Sequence, residues 1–248
     1  MRRRAARRRA ARRLRRRARE ARLAGEAARV TGGLAYYLGT SYRRKRVDAD
    51  LESVASVFAG RVLDVGGARR RGRFRPPAHA RWVVADVAVA LGPDVAADVA
   101  ALPFRDGAFD AIKVTEVLEH VPDPASALAE CRRVLRAGGH VVISAPFLER
   151  LHGDPSDYGR YTETMWRRLL AAARLEPLTI APQGGYFTHL AGLLRFLVLR
   201  APAGVRHLGY GLFPALDLMA RLDRSRRLAS SDFAAFVGGY LIVATRKP

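Results

Sequence analysis

Two carboxylates and a glycine pair stand at intervals that suit a nucleoside ligand. Gly66 and Gly67 stop the apolar run Val62, Leu63 and Val65, which Asp64 interrupts, and a second apolar run, Trp82 to Ala85, delivers Asp86 twenty residues beyond Gly66. An apolar run ended by glycines reads as a buried parallel strand passing into a tight turn. Glycine lets the backbone come close to a ligand there. In a doubly wound sheet the ligand crevice lies at the carboxyl ends of the strands, where an acidic side chain accepts hydrogen bonds from both ribose hydroxyls. A second polar group follows a later strand, in the run His152, Asp154, Asp157, Tyr158, Arg160, Tyr161. A loop this dense in His, Asp, Tyr and Arg carries more polar chemistry than a connection needs, and His152 is its candidate base. The competing explanation is structural: His152 and Asp154 shape a turn, Arg160 pairs with Asp157, and Thr162 caps the next helix. His120 is a second candidate base, or closes the turn before Pro122.

The elements that would position these groups can be read in order. Strands are expected at Arg61–Val65, Trp82–Ala85, Phe109–Val114, His140–Pro146, near Pro177–Ala181, and at Tyr240–Thr245. A helix over Pro124–Arg136 turns Leu128, Cys131, Val134 and Leu135 inward and ends at Gly138 and Gly139; another covers about Glu163–Ala173. Asp48 is the expected cap of a helix whose face is Leu51, Val54, Ala55 and Phe58. Ahead of it, Tyr36, Tyr37 and the Tyr42–Arg46 run form an aromatic and basic patch, either a helix packed on the domain or a lid over the site. The segments after Gly67 and between Asp86 and Asp98 are too short for full helices, so the first half of the sheet is thinly covered. Before the last strand, stripes of Leu190, Leu193, Leu194, Leu197 and of Leu212, Leu216, Met219, Leu222 predict two helices. They either cover that thin sheet or form a surface that docks on a bilayer or a lipid-like substrate.

Composition sets outer limits. The chain has 248 residues and a net charge of +21. Residues 1–22 hold thirteen arginines and one glutamate, which is +12, leaving +9 for the rest. The expected organisation is a disordered Arg/Ala tail at 1–24, a helical segment at 25–60, and one α/β domain at 61–248 with a helical insert at about 186–230. The tail is read as solvated, or as an upstream-start artefact, against a contact with RNA or anionic lipid. The single cysteine, Cys131, excludes an internal disulfide and any multi-cysteine metal site, and no obligate metal is expected. With no apolar core behind the arginines and no run long enough to span a bilayer, the expected place is the cytoplasm, with peripheral contact at the inner face of the membrane as a variant.

From Val62 to Phe147 the chain resembles the class I S-adenosylmethionine-dependent methyltransferases, in the broad type 11 group. VLDVGG is similar to the first cofactor motif, VVADV to the ribose-binding block, residues 97–124 to the middle block, and RRVLRAGGHVVISAPF to a later one. Several blocks in the right order are specific where one alone is weak. The resemblance implies a Rossmann-like, doubly wound, seven-stranded sheet, mostly parallel with an antiparallel last strand. It implies S-adenosylmethionine as cofactor, with Gly66 and Gly67 facing its methionine portion and Asp64 steadying the loop and the amino group. Asp86, beside Val87, would hold the ribose; Asp98 and Val99 would meet adenine; Glu116 would line the methionine end. The chain departs from the pattern where Arg69 takes the third glycine position, with Gly72 too late to replace it. A dinucleotide fingerprint is absent, because no helix opens after the glycine pair to face a pyrophosphate.

Methyl transfer from a sulfonium asks the protein to align the acceptor and exclude water, and a base helps if the acceptor is a hydroxyl. After the fourth strand stands Thr115-Glu116-Val117-Leu118, not the tetrad typical of base-amino methylation, and Cys131 is no exposed nucleophile. Nucleic acid is therefore not the expected substrate. The expected acceptor is an oxygen or nitrogen of a small or lipid-linked metabolite, with Tyr158, Arg160 and Tyr161 on its side of the site. The alternative is a non-catalytic protein of the same fold that docks to membrane or polyanion through its arginine tail and apolar insert.

Overall fold

A computed structural model describes residues 33–67, 72–153 and 156–247. The expectations placed on the 1–24 tail, Arg69 and Asp154 lie outside the described residues. Residues 33–39 form helix α1, in a unit separate from the compact unit that begins at Ser41.

That compact unit is built on seven strands: β1 (Arg61–Val65), β2 (Arg81–Asp86), β3 (Val95–Ala96), β4 (Phe109–Thr115), β5 (Leu135–Pro146), β6 (Glu176–Gln183) and β7 (Gly239–Thr245). Their order is β3-β2-β1-β4-β5-β7-β6. The first five follow the doubly wound order 3-2-1-4-5 and are parallel, whereas β7 runs antiparallel to both β5 and β6. The expected Rossmann-like sheet with an antiparallel last strand is what the chain forms. β1 reverses strand order on its two sides, so the crevice opens at the carboxyl ends of β1, β2 and β4.

Helix α2 (Tyr42–Ser53) starts earlier than Asp48. Ser41 supplies the cap, its Oγ accepting from the Arg44 amide at 3.2 Å, and α2 ends before Ala55. Asp48 instead lies inside the helix, where its buried carboxylate accepts the Arg73 amide at 2.8 Å and pins the chain beyond the glycine turn. The sheet face beneath is sealed by Val47 and Leu51 of α2 and by Phe58, Phe74 and Trp82, with Phe58 and Trp82 ring centroids 5.2 Å apart. Among the described residues no helix lies between β1 and β2, and these aromatics cover that face. A 3₁₀ turn at Val89–Leu91 is all that lies between β2 and β3.

Helix α3 (Pro124–Val134) is opened by Asp123, which caps the Ala125 amide at 3.0 Å, with proline at its first turn. It ends four residues before the glycine pair that sequence alone assigns as its stop. The reason is Arg246: its guanidinium donates to the carbonyls of Arg132, Arg133 and Leu135, at 3.1, 3.2 and 2.7 Å, satisfying the helix end from across the sheet. Gly138, with φ of 71°, serves instead where the β4–β5 register shifts. Cys131 on α3 is fully buried, and burial pushes its thiol up to about 12, which fits a core residue and not a nucleophile. Helix α4 (Glu163–Ala172) is capped by Thr162 and buries Trp166, Leu169 and Leu170.

The segment before β7 holds three α-helices where two are expected: α5 (Tyr186–Arg200), α6 (Ala203–Gly209) and α7 (Phe213–Ala220). α5 and α7 carry the two expected stripes, and the short α6 is an additional helix between them, bounded by Pro202 and Gly209. The α5 stripe is not the buried face. Leu193 and Leu197 are 53% and 64% exposed, whereas Ala191 and Arg195 are buried, with the Arg195 guanidinium 3.8 Å from the Phe213 ring centroid. α5 packs on α2 and α7 and so leaves the first half of the sheet to the aromatics. No described helix is long and apolar enough to cross a membrane.

Candidate cofactor and acceptor site

β1 carries Asp64 into the sheet's rim, where its Oδ1 accepts from the buried Lys113 Nζ at 2.6 Å. Lys113 comes from β4, directly opposite Asp64 in the register, and sequence reasoning missed it because a lysine inside an apolar strand gives no motif. The glycine turn is tailored to this pair. A Cβ on Gly67 would stand 2.3–2.5 Å from the Asp64 carboxylate. A Cβ on Gly66, whose φ is 72°, would meet Val117 at 2.4 Å. Both positions therefore need glycine for space, and Gly66 also for its backbone angle.

A cavity of about 860 Å³ opens at this rim. Asp64, Gly66, Gly67, Asp86, Val87, Asp98, Val99 and Glu116 all line it, although four different stretches of chain supply them. The Asp86 carboxylate ends β2 and accepts the Ala88 amide at 2.9 Å; Asp98 accepts the Ala100 amide at 2.9 Å. Each bond is local and fixes the carboxylate at the cavity wall. Val87 and Leu91 beside them are 64% and 38% exposed, apolar surface at the mouth of a polar site. Gly72, with φ of 84°, is also on the wall; a side chain there would strike Asp48. It lies too far on for the glycine pattern, and the Asp48 tether is what brings it back.

Glu116 sits just past β4 in the left-handed region, at φ of 57°, a conformation that costs a non-glycine residue about 1–3 kcal/mol. Its neighbours hold it there. Arg43 of α2 donates to both carboxylate oxygens, at 2.5 and 3.1 Å, and Ser144 donates at 2.8 Å. Burial pushes the Glu116 carboxyl up, but the Arg43 charge and these hydrogen bonds outweigh it and hold it below the usual carboxylate range. Arg43 was hidden in a basic run that reads equally as solvated surface. Of the two expected readings, the helix packed on the domain is what Tyr42–Arg46 forms as the start of α2, and Arg43 reaches from that helix into the sheet's carboxyl end.

The acceptor-side residues divide. His152 lines the cavity, together with His120, Val121 and Pro122. Tyr158, Arg160 and Tyr161 do not. Tyr158 is 55% exposed and gives its amide to the Glu119 carbonyl at 2.7 Å. Arg160 is paired with Asp157, and Tyr161 packs edge-on against Trp166 at 5.2 Å. The loop spends its Arg and Asp on its own shape, as Thr162 spends its hydroxyl on α4; this is why charge density alone over-reads it. Glu119, between the cavity residues Val117 and His120, is 1% exposed, and burial with the Glu116 charge pushes its carboxyl up to about 8.

Residues 76–143 match the family described as the methyltransferase domain. The match begins after β1 and the glycine pair. The chain is 34% identical over 167 residues to an uncharacterized 37.1 kDa protein in transposon TN4556 of Streptomyces fradiae, covering 61% of this chain and 47% of that protein. It is 34% identical over 148 residues to the demethylmenaquinone methyltransferase of Renibacterium salmoninarum, covering 55% and 60% of the two chains. The chain thus spans about half the length of the curated relatives it matches. Among solved structures it is similar to the 1,6-didemethyltoxoflavin-N1-methyltransferase of Burkholderia thailandensis, with a TM-score of 0.49 and 18% identity over 91% of this chain and 87% of that one.

Proposed function

We propose that the chain, whose residues 76–143 match the methyltransferase domain, transfers a methyl group from S-adenosylmethionine to an oxygen or nitrogen of a small or lipid-linked metabolite. One observation carries the proposal: two carboxylates, a glycine pair and an apolar rim from separate segments meet on one cavity wall. The wall fits the cofactor. The glycine turn lets Val117 and the Asp64 carboxylate pack directly against its backbone beside the cavity, and a cavity of about 860 Å³ exceeds what a nucleoside needs. When bound, S-adenosylmethionine supplies a methyl carbon on a positively charged sulfur. Asp86 accepts from the ribose hydroxyls and Asp98 from the exocyclic amine of adenine, whose faces meet Val87, Leu91 and Val99. Glu116, its charge matched by Arg43, lines the methionine end. His120 and His152 face the acceptor.

His152→Ala is expected to lower turnover about 100-fold while leaving S-adenosylhomocysteine affinity within about twofold, since no cofactor-side residue depends on it. Calorimetry with S-adenosylhomocysteine measures the second quantity. Labelled-methyl transfer into extracted polar lipids and small metabolites measures the first. Equal loss of both would make His152 a structural residue. No S-adenosylhomocysteine binding by the unaltered chain at high micromolar concentration would favour the non-catalytic alternative.

A second reading places the protein in the cytoplasm at the inner face of the membrane. Its support is the insert, where Leu197, Leu208, Leu212 and Leu218 are 64%, 83%, 56% and 64% exposed among Arg200, Arg206 and Arg221. Exposed apolar side chains interspersed with arginine along the chain suit an anionic bilayer, and a lipid-linked acceptor would be met there. The chain is expected to sediment with phosphatidylglycerol vesicles, and Leu197→Asp with Leu208→Asp to release most of it. Sedimentation unchanged by that pair would assign any binding elsewhere and end this reading.

A further inference from the structure

Beside the cofactor wall lies a cluster that the proposed reaction does not yet use. Glu119, His120 and His152 each bring one ligand atom to within 4.8 Å of the others. Both carboxylate oxygens of Glu119 are buried and accept no hydrogen bond. His120 Nε2 stands 3.8 Å from Glu119 Oε1, too far for a hydrogen bond. The two imidazoles lie edge to face, 5.0 Å between centroids.

The other ring nitrogens explain what is being presented. His120 Nδ1 is 2.6 Å from the Ser156 carbonyl, and His152 Nδ1 is 3.3 Å from the Arg150 carbonyl. A carbonyl only accepts, so in the neutral imidazole each Nδ1 carries the proton and each Nε2 presents a lone pair. Backbone carbonyls orient metal-ligating histidines in this way. The result is two imidazole nitrogens and a buried carboxyl group gathered together, with neither Glu119 oxygen making a hydrogen bond. A buried group left in that condition is costly, and a cation removes the cost.

Resting on the methyltransferase reading, we propose that Glu119, His120 and His152 form a binding site for one divalent transition-metal ion at the acceptor end of the cavity. Two histidines and one carboxylate leave coordination positions open, as in metal sites that take an oxygen of the substrate. His120 and His152 both line the cavity, so the open side faces the space beyond the cofactor wall. The site therefore selects an acceptor that offers an oxygen, and His152 serves as ligand in place of base. The expectation of no obligate metal rested on cysteine count, which is silent about histidine and glutamate. The loop bearing His152 is tied to this spot twice, by the Ser156 carbonyl at His120 and by the Tyr158 amide at the Glu119 carbonyl, 2.7 Å.

The test uses the full chain and Co²⁺ alone, followed by its visible absorption and by calorimetry. The expected result is one Co²⁺ per chain, with affinity lowered by roughly 10–100-fold or more in Glu119→Gln and in His152→Gln. His207→Gln, on α6, should change nothing. S-adenosylhomocysteine binding, measured on the same samples, should survive in all variants. If Glu119→Gln does not fold, as circular dichroism would reveal, His152→Gln on its loop decides alone. Absence of Co²⁺ binding, or binding that persists in the variants that fold, overturns the metal site while intact S-adenosylhomocysteine binding leaves the methyltransferase reading standing. Loss of S-adenosylhomocysteine binding in the unaltered chain does the reverse.

Discussion

Arg43→Ala is expected to destabilise the folded chain by about 3–5 kcal/mol, the cost of leaving one half of a buried ion pair behind. The side chains of Arg43 and Glu116 are only 10% and 14% exposed. Three parts of the sheet end depend on the guanidinium. It holds Glu116 beyond β4, reaches Ser144 on β5 at 3.3 Å, and donates to Gln183 Oε1 on β6 at 2.6 Å. Gln183 in turn donates to Asp50 of α2 at 2.7 Å, so the contacts run back to the helix that supplies the arginine. Removing Arg43 orphans a carboxylate that already holds a left-handed backbone angle. Total stability of domains this size is only about 5–15 kcal/mol, so the urea midpoint should fall by a large fraction with little change in slope. Adding Glu116→Gln removes the orphan charge and should recover at least about 1 kcal/mol, because residues in contact do not act additively. A loss below about 1 kcal/mol for Arg43→Ala would mean that the pair only decorates the rim.

How much of this was legible in the sequence follows from range. Local signals were read correctly where the cause is local. The apolar runs ended by glycine or aspartate became β1 and β2, and Pro124 and Thr162 opened helices where expected. That the candidate residues line one cavity was legible because they lie at or just beyond the carboxyl ends of β1, β2, β3 and β4, and strand ends are what an α/β sheet gathers. What was missed depends on partners far along the chain. Asp48 looked like a cap because nothing nearby says that Arg73, 25 residues on, needs an acceptor. The end of α3 is set by Arg246, more than a hundred residues away. Arg43 and Lys113 gain their roles from Glu116 and Asp64, and a charged residue carries no mark of the partner it will meet. The insert misled for another reason: leucines at helical spacing normally mark a buried face, whereas here several of them point to solvent and an arginine is inside.

Asp86→Ala is expected to weaken S-adenosylhomocysteine binding by about 100-fold, since hydrogen bonds to a charged group are each worth about 1.5–3 kcal/mol and tenfold in affinity is about 1.4 kcal/mol. Asp86→Asn keeps an oxygen for the Ala88 amide, and so the turn after β2, but loses charge. It should fall between the two. The comparison of two ligands then separates two ways in which the carboxylate could act. S-adenosylmethionine carries a positive sulfur and S-adenosylhomocysteine does not. If Asp86 grips the ribose, both ligands lose the same factor in each variant, because the ribose is common to them and the bond is too short-ranged for salt to matter. If Asp86 instead attracts the sulfonium across the cavity, S-adenosylmethionine loses more, and its loss shrinks as added salt screens the charge over about 10 Å at 0.1 M. Equal losses at all salt concentrations fix the adenosine end of the site at β2. They also orient the ligand with its methyl group toward Glu116 and the two histidines, where the acceptor has to be.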